Sequence, residues 1–335
     1  MAQSSKINTM LNMLKGLACI GVVFTHIVFP GWCGKFVTIA SAYAVPVFFM
    51  TAGYYAFGNG IDVMKRRLLK IIRIFIYGYA LFFIYRVCAA AANHTLTLWF
   101  TENFTWNTPM KYLWFCIIDF AVPLWYLIAM IETYILWIFI VQKQKETQAI
   151  KFIPILFALK ILLIPFCGLL NLPWYAQTNF VTSALPWFMT GYYFHTEKGK
   201  KCERISTYKL VITAVLGYVI VILPEVWDLP LKLSGVDNIL CAFSLFLIAL
   251  KYSDVSLCRP LEYIGSKLSL NIYILHVIID DVICISFSRL FQMDVYGNVF
   301  LWCRPILVLI TTMLVAQTIN VLWDKLRHKS TVDSV

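Results

Sequence analysis

About ten long apolar runs dominate this 335-residue chain, at roughly 10–30, 36–57, 71–92, 120–141, 152–170, 180–195, 209–223, 237–252, 268–290 and 299–323. A helix that crosses the ~30 Å hydrocarbon core of a bilayer needs about 20 mostly apolar residues. The runs have that length or approach it, and they are continuous. The ~10-residue alternating segments of a membrane β-barrel are missing. Hydrophobic residues make up 61% of the chain and charged residues 13%, with a mean hydropathy of +0.76. A soluble domain holds about 45–50% apolar and about 25% charged residues, so no soluble interior hides this much apolar surface. The expectation is an all-α, polytopic integral membrane protein with about ten transmembrane helices. It forms one membrane-embedded domain over residues 1–335, with a short cytoplasmic tail from about residue 324.

Charge placement gives the orientation. The formal net charge is +11. In a soluble protein that excess points to nucleic acid, but here the cations sit in alternate loops, which excludes a nucleic-acid partner and reports topology instead. One set of loops, with Lys6, Lys65, Arg66, Arg67, Lys70, the Lys198–Lys209 segment and Lys325 among its cations, holds eighteen; the other holds four: Lys35, Lys111, Lys232 and Arg304. The rich side is cytoplasmic by the positive-inside rule. An even number of crossings then puts both termini in the cytoplasm. The ten cysteines form no C-x-x-C pair. Several lie inside apolar runs, where cysteine behaves as a small hydrophobe, so neither a zinc site nor a disulfide framework is expected. The outer loop at 93–112 carries Trp99, Phe100, Phe104 and Trp106, residues typical of a membrane interface.

Ionisable groups in or at the edge of the apolar runs are the candidates for chemistry. Each costs about 2.5–3.5 kcal/mol on insertion scales, and ten are taken as candidates: Lys15, His26, Arg73, Arg86, Asp119, Glu132, Lys160, His276, Asp280 and Asp281. Lys15 and His26 are eleven residues apart, close to three helical turns, so they share a stripe and lie roughly 16 Å apart along the axis. Ala18, Cys19 and Val22 lie between them on that stripe. Two readings stand: a helix–helix seam of small residues, or one wall of a slender tunnel. Arg67, Lys70 and Arg73 follow each other at intervals of three into the third run. A positive-inside anchor explains the outermost cations; a basic row leading inward also suits a phosphate-bearing ligand from the cytoplasm. In the ninth run Tyr273 and His276 share a face with Asp280 beyond them, either as a structural network or as a proton relay.

These residues match a known pattern. The chain resembles the acyltransferase-3 family of bacterial membrane acyltransferases, whose hallmark is a basic residue, ten intervening residues and a histidine in the first span; here it stands as Lys15-x10-His26. Val45-Pro46-Val47-Phe48-Phe49-Met50-Thr51-Ala52-Gly53, Leu124-Trp125-Tyr126-Leu127 and the segment from Ser269 to His276 resemble further family phrases. The resemblance covers essentially the whole chain. It departs in two ways: the basic row does not lead into the usual proline, and no extracytoplasmic hydrolase-like domain is fused. The resemblance implies a multi-pass protein of the cytoplasmic (inner) membrane. It implies an acyl donor, acetyl-CoA or another acyl-CoA, as co-substrate with no metal, and an extracytoplasmic carbohydrate as acceptor. His26 and Lys15 are then the catalytic candidates, and Arg67, Lys70 and Arg73 the donor-binding ones. Glu132, Asp119, Tyr126, Tyr273 and His276 are supporting candidates. The alternative is a secondary transporter of a small polar molecule, although no matching halves are visible in the sequence.

Overall fold

The structure is a computed structural model, and it describes residues 8–227, 235–289, 292 and 294–332. Lys6 and Lys232 of the charge count lie outside the described residues. Sixteen α-helices follow one another among those residues, with short 3₁₀ turns between some of them and no strand. They are α1 (Thr9–His26), α2 (Gly31–Ala40), α3 (Ala44–Tyr54), α4 (Ile61–Ala92), α5 (Leu96–Asn103), α6 (Thr108–Phe115), α7 (Trp125–Gln142) and α8 (Glu146–Ala149), then α9 (Ile153–Leu169), α10 (Phe180–Ser183), α11 (Leu185–His195), α12 (Thr207–Val226), α13 (Val236–Lys251), α14 (Arg259–Tyr263), α15 (Ser269–Arg289) and α16 (Asn298–Val332).

Eight helical segments among the described residues are long and apolar enough to cross a membrane: Thr9–His26, Gly31–Tyr54, Ile61–Ala92, Thr108–Gln142, Glu146–Leu169, Thr207–Val226, Arg259–Arg289 and Asn298–Lys325. Two of the ten expected runs fall short. Residues 238–251 form an apolar helix below that length. The run at 180–195 breaks into α10 and α11, because Asn179 caps the first through its side chain and Pro186 opens the second. At two places the helices are longer than the apolar runs. α4 begins at Ile61, so the whole basic row lies on a helix rather than in a loop. α16 continues to Val332, so the segment from about residue 324 is helical as far as Val332.

Packing divides the chain into two compact units. The first comprises the described residues of Met1–Val47, Thr207–Lys232 and Asp237–Val335. Here α1 packs on α14 and α15, α2 on α12, and α15 on α16. Asn8 starts α1 by accepting from the Leu11 N–H at 2.7 Å, and its amide donates to the Ala249 carbonyl at 3.3 Å. A π-helical turn at Ile264–Leu268 joins α14 to α15. It lies directly against α1: a side chain at Gly16 would strike the Leu261 carbonyl, and one at Gly265 would strike that of Asn12. The two backbones touch because both residues lack a Cβ, and this reciprocal contact sets the height of α15 against α1.

The second unit comprises Phe48–Ser206 and the described part of Leu233–Val236. α4 packs on α7, and α10 on α7, α9 and α11. Trp137, Trp187 and Phe188 form its buried aromatic centre, with Trp137 and Phe188 edge-on at 5.4 Å. Around α5, the rings of Phe83, Trp99, Phe100, Phe104 and Phe120 cluster at centroid separations of 5.0–6.4 Å, while Trp106 stands almost fully exposed. That pattern fits the interfacial role expected for the 93–112 segment.

Candidate active site

In the first unit two helical stripes face each other. On α1 the helical repeat aligns Lys15, Cys19, Val22 and His26; on α15 the same repeat aligns Ser269, Tyr273, His276 and Asp280. The stripes meet in register. The Cys19 thiol lies 3.7 Å from the Ser269 carbonyl oxygen, and seven residues further along both helices the rings of His26 and His276 lie 5.0 Å apart between centroids. Contacts that advance together along both helices mean that α1 and α15 run parallel.

The two imidazoles have opposite surroundings. His276 has no exposed surface. Its Nδ1 lies 3.0 Å from the Ile272 carbonyl oxygen, one turn back. A carbonyl only accepts, so Nδ1 carries the proton and Nε2 presents a lone pair. That buried Nε2 has no hydrogen-bond partner. The Tyr273 ring lies 6.5 Å away. His26 is the last residue of α1 and is exposed. One side of its ring lies against His276. Lys15, half-buried and roughly 16 Å down the helix, has its ammonium 3.4 Å from the Asn12 side-chain oxygen.

Asp280 is settled by a residue the sequence reading placed elsewhere. Arg304, counted above among the outer-loop cations, lies inside α16. Its Nε and Nη2 donate to the two carboxylate oxygens of Asp280, both at 2.6 Å. This is the fork-on-fork geometry of a strong charge-assisted pair. Both Asp280 oxygens are therefore engaged, and the His276 Nδ1 proton goes to a carbonyl. The proton relay from His276 to Asp280 that the spacing allowed is absent, and the structural network stands in its place. The apolar run at 299–323 already contained Arg304; only the charge count assigned it to a loop.

In the second unit, Arg67, Lys70 and Arg73 follow one side of α4. Lys70 and Arg73 are exposed. Arg67 is half-buried and donates through Nη1 to the Tyr55 carbonyl at 2.5 Å. His195, which the sequence reading did not single out, stacks against Tyr54 at 4.2 Å and Phe57 at 5.0 Å, with Nδ1 at 2.8 Å from the Tyr54 carbonyl. Arg67 and His195 thus close the C-terminal end of α3, where unsatisfied carbonyls take N–H donors. The supporting candidates of this unit have partners of their own. Asp119 pairs with Lys111 at 2.8 Å. Glu132 accepts from the Cys116 thiol at 3.1 Å. Tyr126 packs its ring 4.6 Å from Phe49.

A family model for the acyltransferase-3 domain, described as an acyltransferase domain, matches residues 8–321. No curated protein and no solved structure matches the chain.

Proposed function

Because the chain belongs to the acyltransferase-3 family of membrane acyltransferases, we propose that it moves an acyl group, acetyl by default, from cytoplasmic acyl-CoA to a hydroxyl of an extracytoplasmic carbohydrate, with His26 as general base. The observation that carries this reading is an exposed imidazole at the end of an apolar helix, its ring held 5.0 Å from a second, wholly buried imidazole.

The reaction needs one group able to take and return a proton near neutral pH, and imidazole is the side chain suited to it. His26 accepts the proton of the acceptor hydroxyl as its oxygen attacks the thioester carbonyl carbon. The carbon–sulfur bond then breaks, and the departing CoA thiolate takes the proton back from the imidazolium. No net proton is stored, and no covalent acyl-enzyme is required. In this proposal the positive-inside orientation gives the protein both ends in the cytoplasm and sets it in the cytoplasmic membrane, with His26 toward the outer half and Lys15 toward the inner.

The basic row is the second part of the proposal. Lys70 and Arg73 are exposed cations one turn apart, suited to the phosphates of the donor. Arg67, which holds the end of α3, keeps further N–H donors on its guanidinium and orients the row.

The test is purified protein in detergent with acetyl-CoA, with and without a crude envelope carbohydrate fraction, reading release of the CoA thiol and appearance of acylated carbohydrate. Acceptor-dependent thiol release that His26→Ala abolishes is the expected result. An intact thioester, with the small molecule merely carried across a vesicle membrane, would support the transporter instead.

A further inference from the structure

We propose that His276 is a positioning residue for His26: its buried Nε2 accepts an N–H from the His26 ring, which fixes the tautomer and rotamer of His26 and leaves the other His26 nitrogen with its lone pair for the acceptor hydroxyl. The proposal deepens the reading of His26 as general base and rests on it.

Three observations carry it. The first is orientation. The Nδ1 of His276 is committed to the Ile272 carbonyl at 3.0 Å, so the only group that His276 offers outward is an acceptor. The second is burial. His276 has no exposed surface, and its Nε2 has no hydrogen-bond partner. A buried lone pair left unmatched is costly, and such atoms in folded proteins mark places where another group arrives. The third is placement. The His26 ring sits 5.0 Å away, centroid to centroid, tilted by 50°, and His26 is the exposed last residue of its helix. At that separation a turn of the His26 ring brings facing nitrogens to the ~3 Å of an N–H···N hydrogen bond.

The carboxylate one turn beyond His276 on α15 is committed elsewhere. In many histidine bases a carboxylate fixes the ring through its second nitrogen. The carboxylate nearest along α15 is Asp280, and Arg304 takes both of its oxygens. The parallel register of α1 and α15, set by the Gly16–Leu261 and Gly265–Asn12 backbone contacts, holds the two imidazoles at one level.

The arrangement has a kinetic signature. A group that orients the base acts on the chemical step, so its loss lowers kcat while KM for acyl-CoA stays nearly constant. His276→Phe fills the space without an acceptor; His276→Gln keeps an acceptor oxygen within reach of the same place. The experiment measures kcat and KM for both variants and for His26→Ala with and without His276→Phe. It adds ¹⁵N spectra of histidine-labelled wild-type protein, in which only five histidines contribute. The expected results are a roughly 100-fold fall in kcat for His276→Phe with KM within about threefold, within the range general-base contributions span. His276→Gln should recover to within about tenfold of wild type, and His276→Phe should have no further effect once His26 is alanine. The ¹⁵N signal that disappears in His276→Gln should belong to an Nδ1-protonated, Nε2-unprotonated ring. A His276→Phe variant that turns over within threefold of wild type, or a His276 spectrum showing Nε2 protonated, overturns the proposal. If His276→Phe does not fold, the glutamine variant and the wild-type spectrum still decide it. Activity surviving in His26→Ala would instead remove the general-base reading, and the tautomer of His276 would still be read independently.

Discussion

Removing Arg304 probes a bidentate ion pair of the first unit. The Asp280–Arg304 pair consists of two parallel charge-assisted hydrogen bonds of 2.6 Å, with side-chain exposures of 10% for Asp280 and 31% for Arg304. Arg304→Leu leaves a carboxylate that is almost fully buried within an apolar span and has lost both donors. Breaking a buried pair from one side costs about 3–5 kcal/mol. The partial exposure of Arg304 puts the expectation at the lower end, about 3 kcal/mol. For a unit of this size each kcal/mol corresponds to roughly 2–4 °C in melting temperature, so the single variant should melt roughly 6–12 °C lower. Asp280→Leu should cost a similar amount, because it strands the guanidinium. The double variant Asp280→Leu/Arg304→Leu removes both charges and should melt well above either single variant, since two apolar side chains need no partners in that setting. The assay is thermal unfolding of the purified protein in one detergent, followed by tryptophan fluorescence, with all four proteins compared side by side. Single variants melting within about 2 °C of wild type, or a double variant losing the sum of the two single losses, would refute the view that this pair is a coupled structural element.

Three further outcomes follow from the same geometry. Lys70→Gln combined with Arg73→Gln should raise KM for acyl-CoA about tenfold or more with little change in kcat, measured by thiol release; an unchanged KM would contradict the phosphate assignment. Arg67→Gln should behave differently, lowering thermal stability by about 1–3 kcal/mol, because its hydrogen bond to the Tyr55 carbonyl closes α3; melting curves distinguish the two behaviours. Gly265→Ala should cost about 1–3 kcal/mol and reduce activity, because the added methyl strikes the Asn12 carbonyl and pushes α15 from α1; equal stability and activity would show that the seam yields freely.

Much of the architecture was legible because hydropathy is read one segment at a time. Runs such as 152–170 and 209–223 correspond within a few residues to α9 and α12. The stripe from Lys15 to His26 was legible too, since helical periodicity places both residues without any knowledge of neighbours. What the sequence could not supply was pairing between segments. Arg304 was counted with the loop cations although it lies within the 299–323 run, because the partner that makes an intramembrane guanidinium tolerable, Asp280, lies on another helix. The π turn at Ile264–Leu268 has no signature in composition, yet it brings Gly265 against α1 and so levels His276 with His26. His195 and Arg67 meet the end of α3 from separate helices, and neither spacing nor charge revealed that both reach carbonyls there. The open question over the small-residue stripe is partly answered by the same route: Ala18, Cys19 and Val22 are buried, and Cys19 meets α15 at Ser269.

The most direct test of the account is mass spectrometry of envelope carbohydrates from three strains: one with the gene intact, one without it, and one carrying His26→Ala at wild-type protein levels in the membrane. The account predicts a carbohydrate heavier by one acyl group in the first strain alone. The same acylated mass in all three strains, or acylation persisting in the alanine strain, would contradict it.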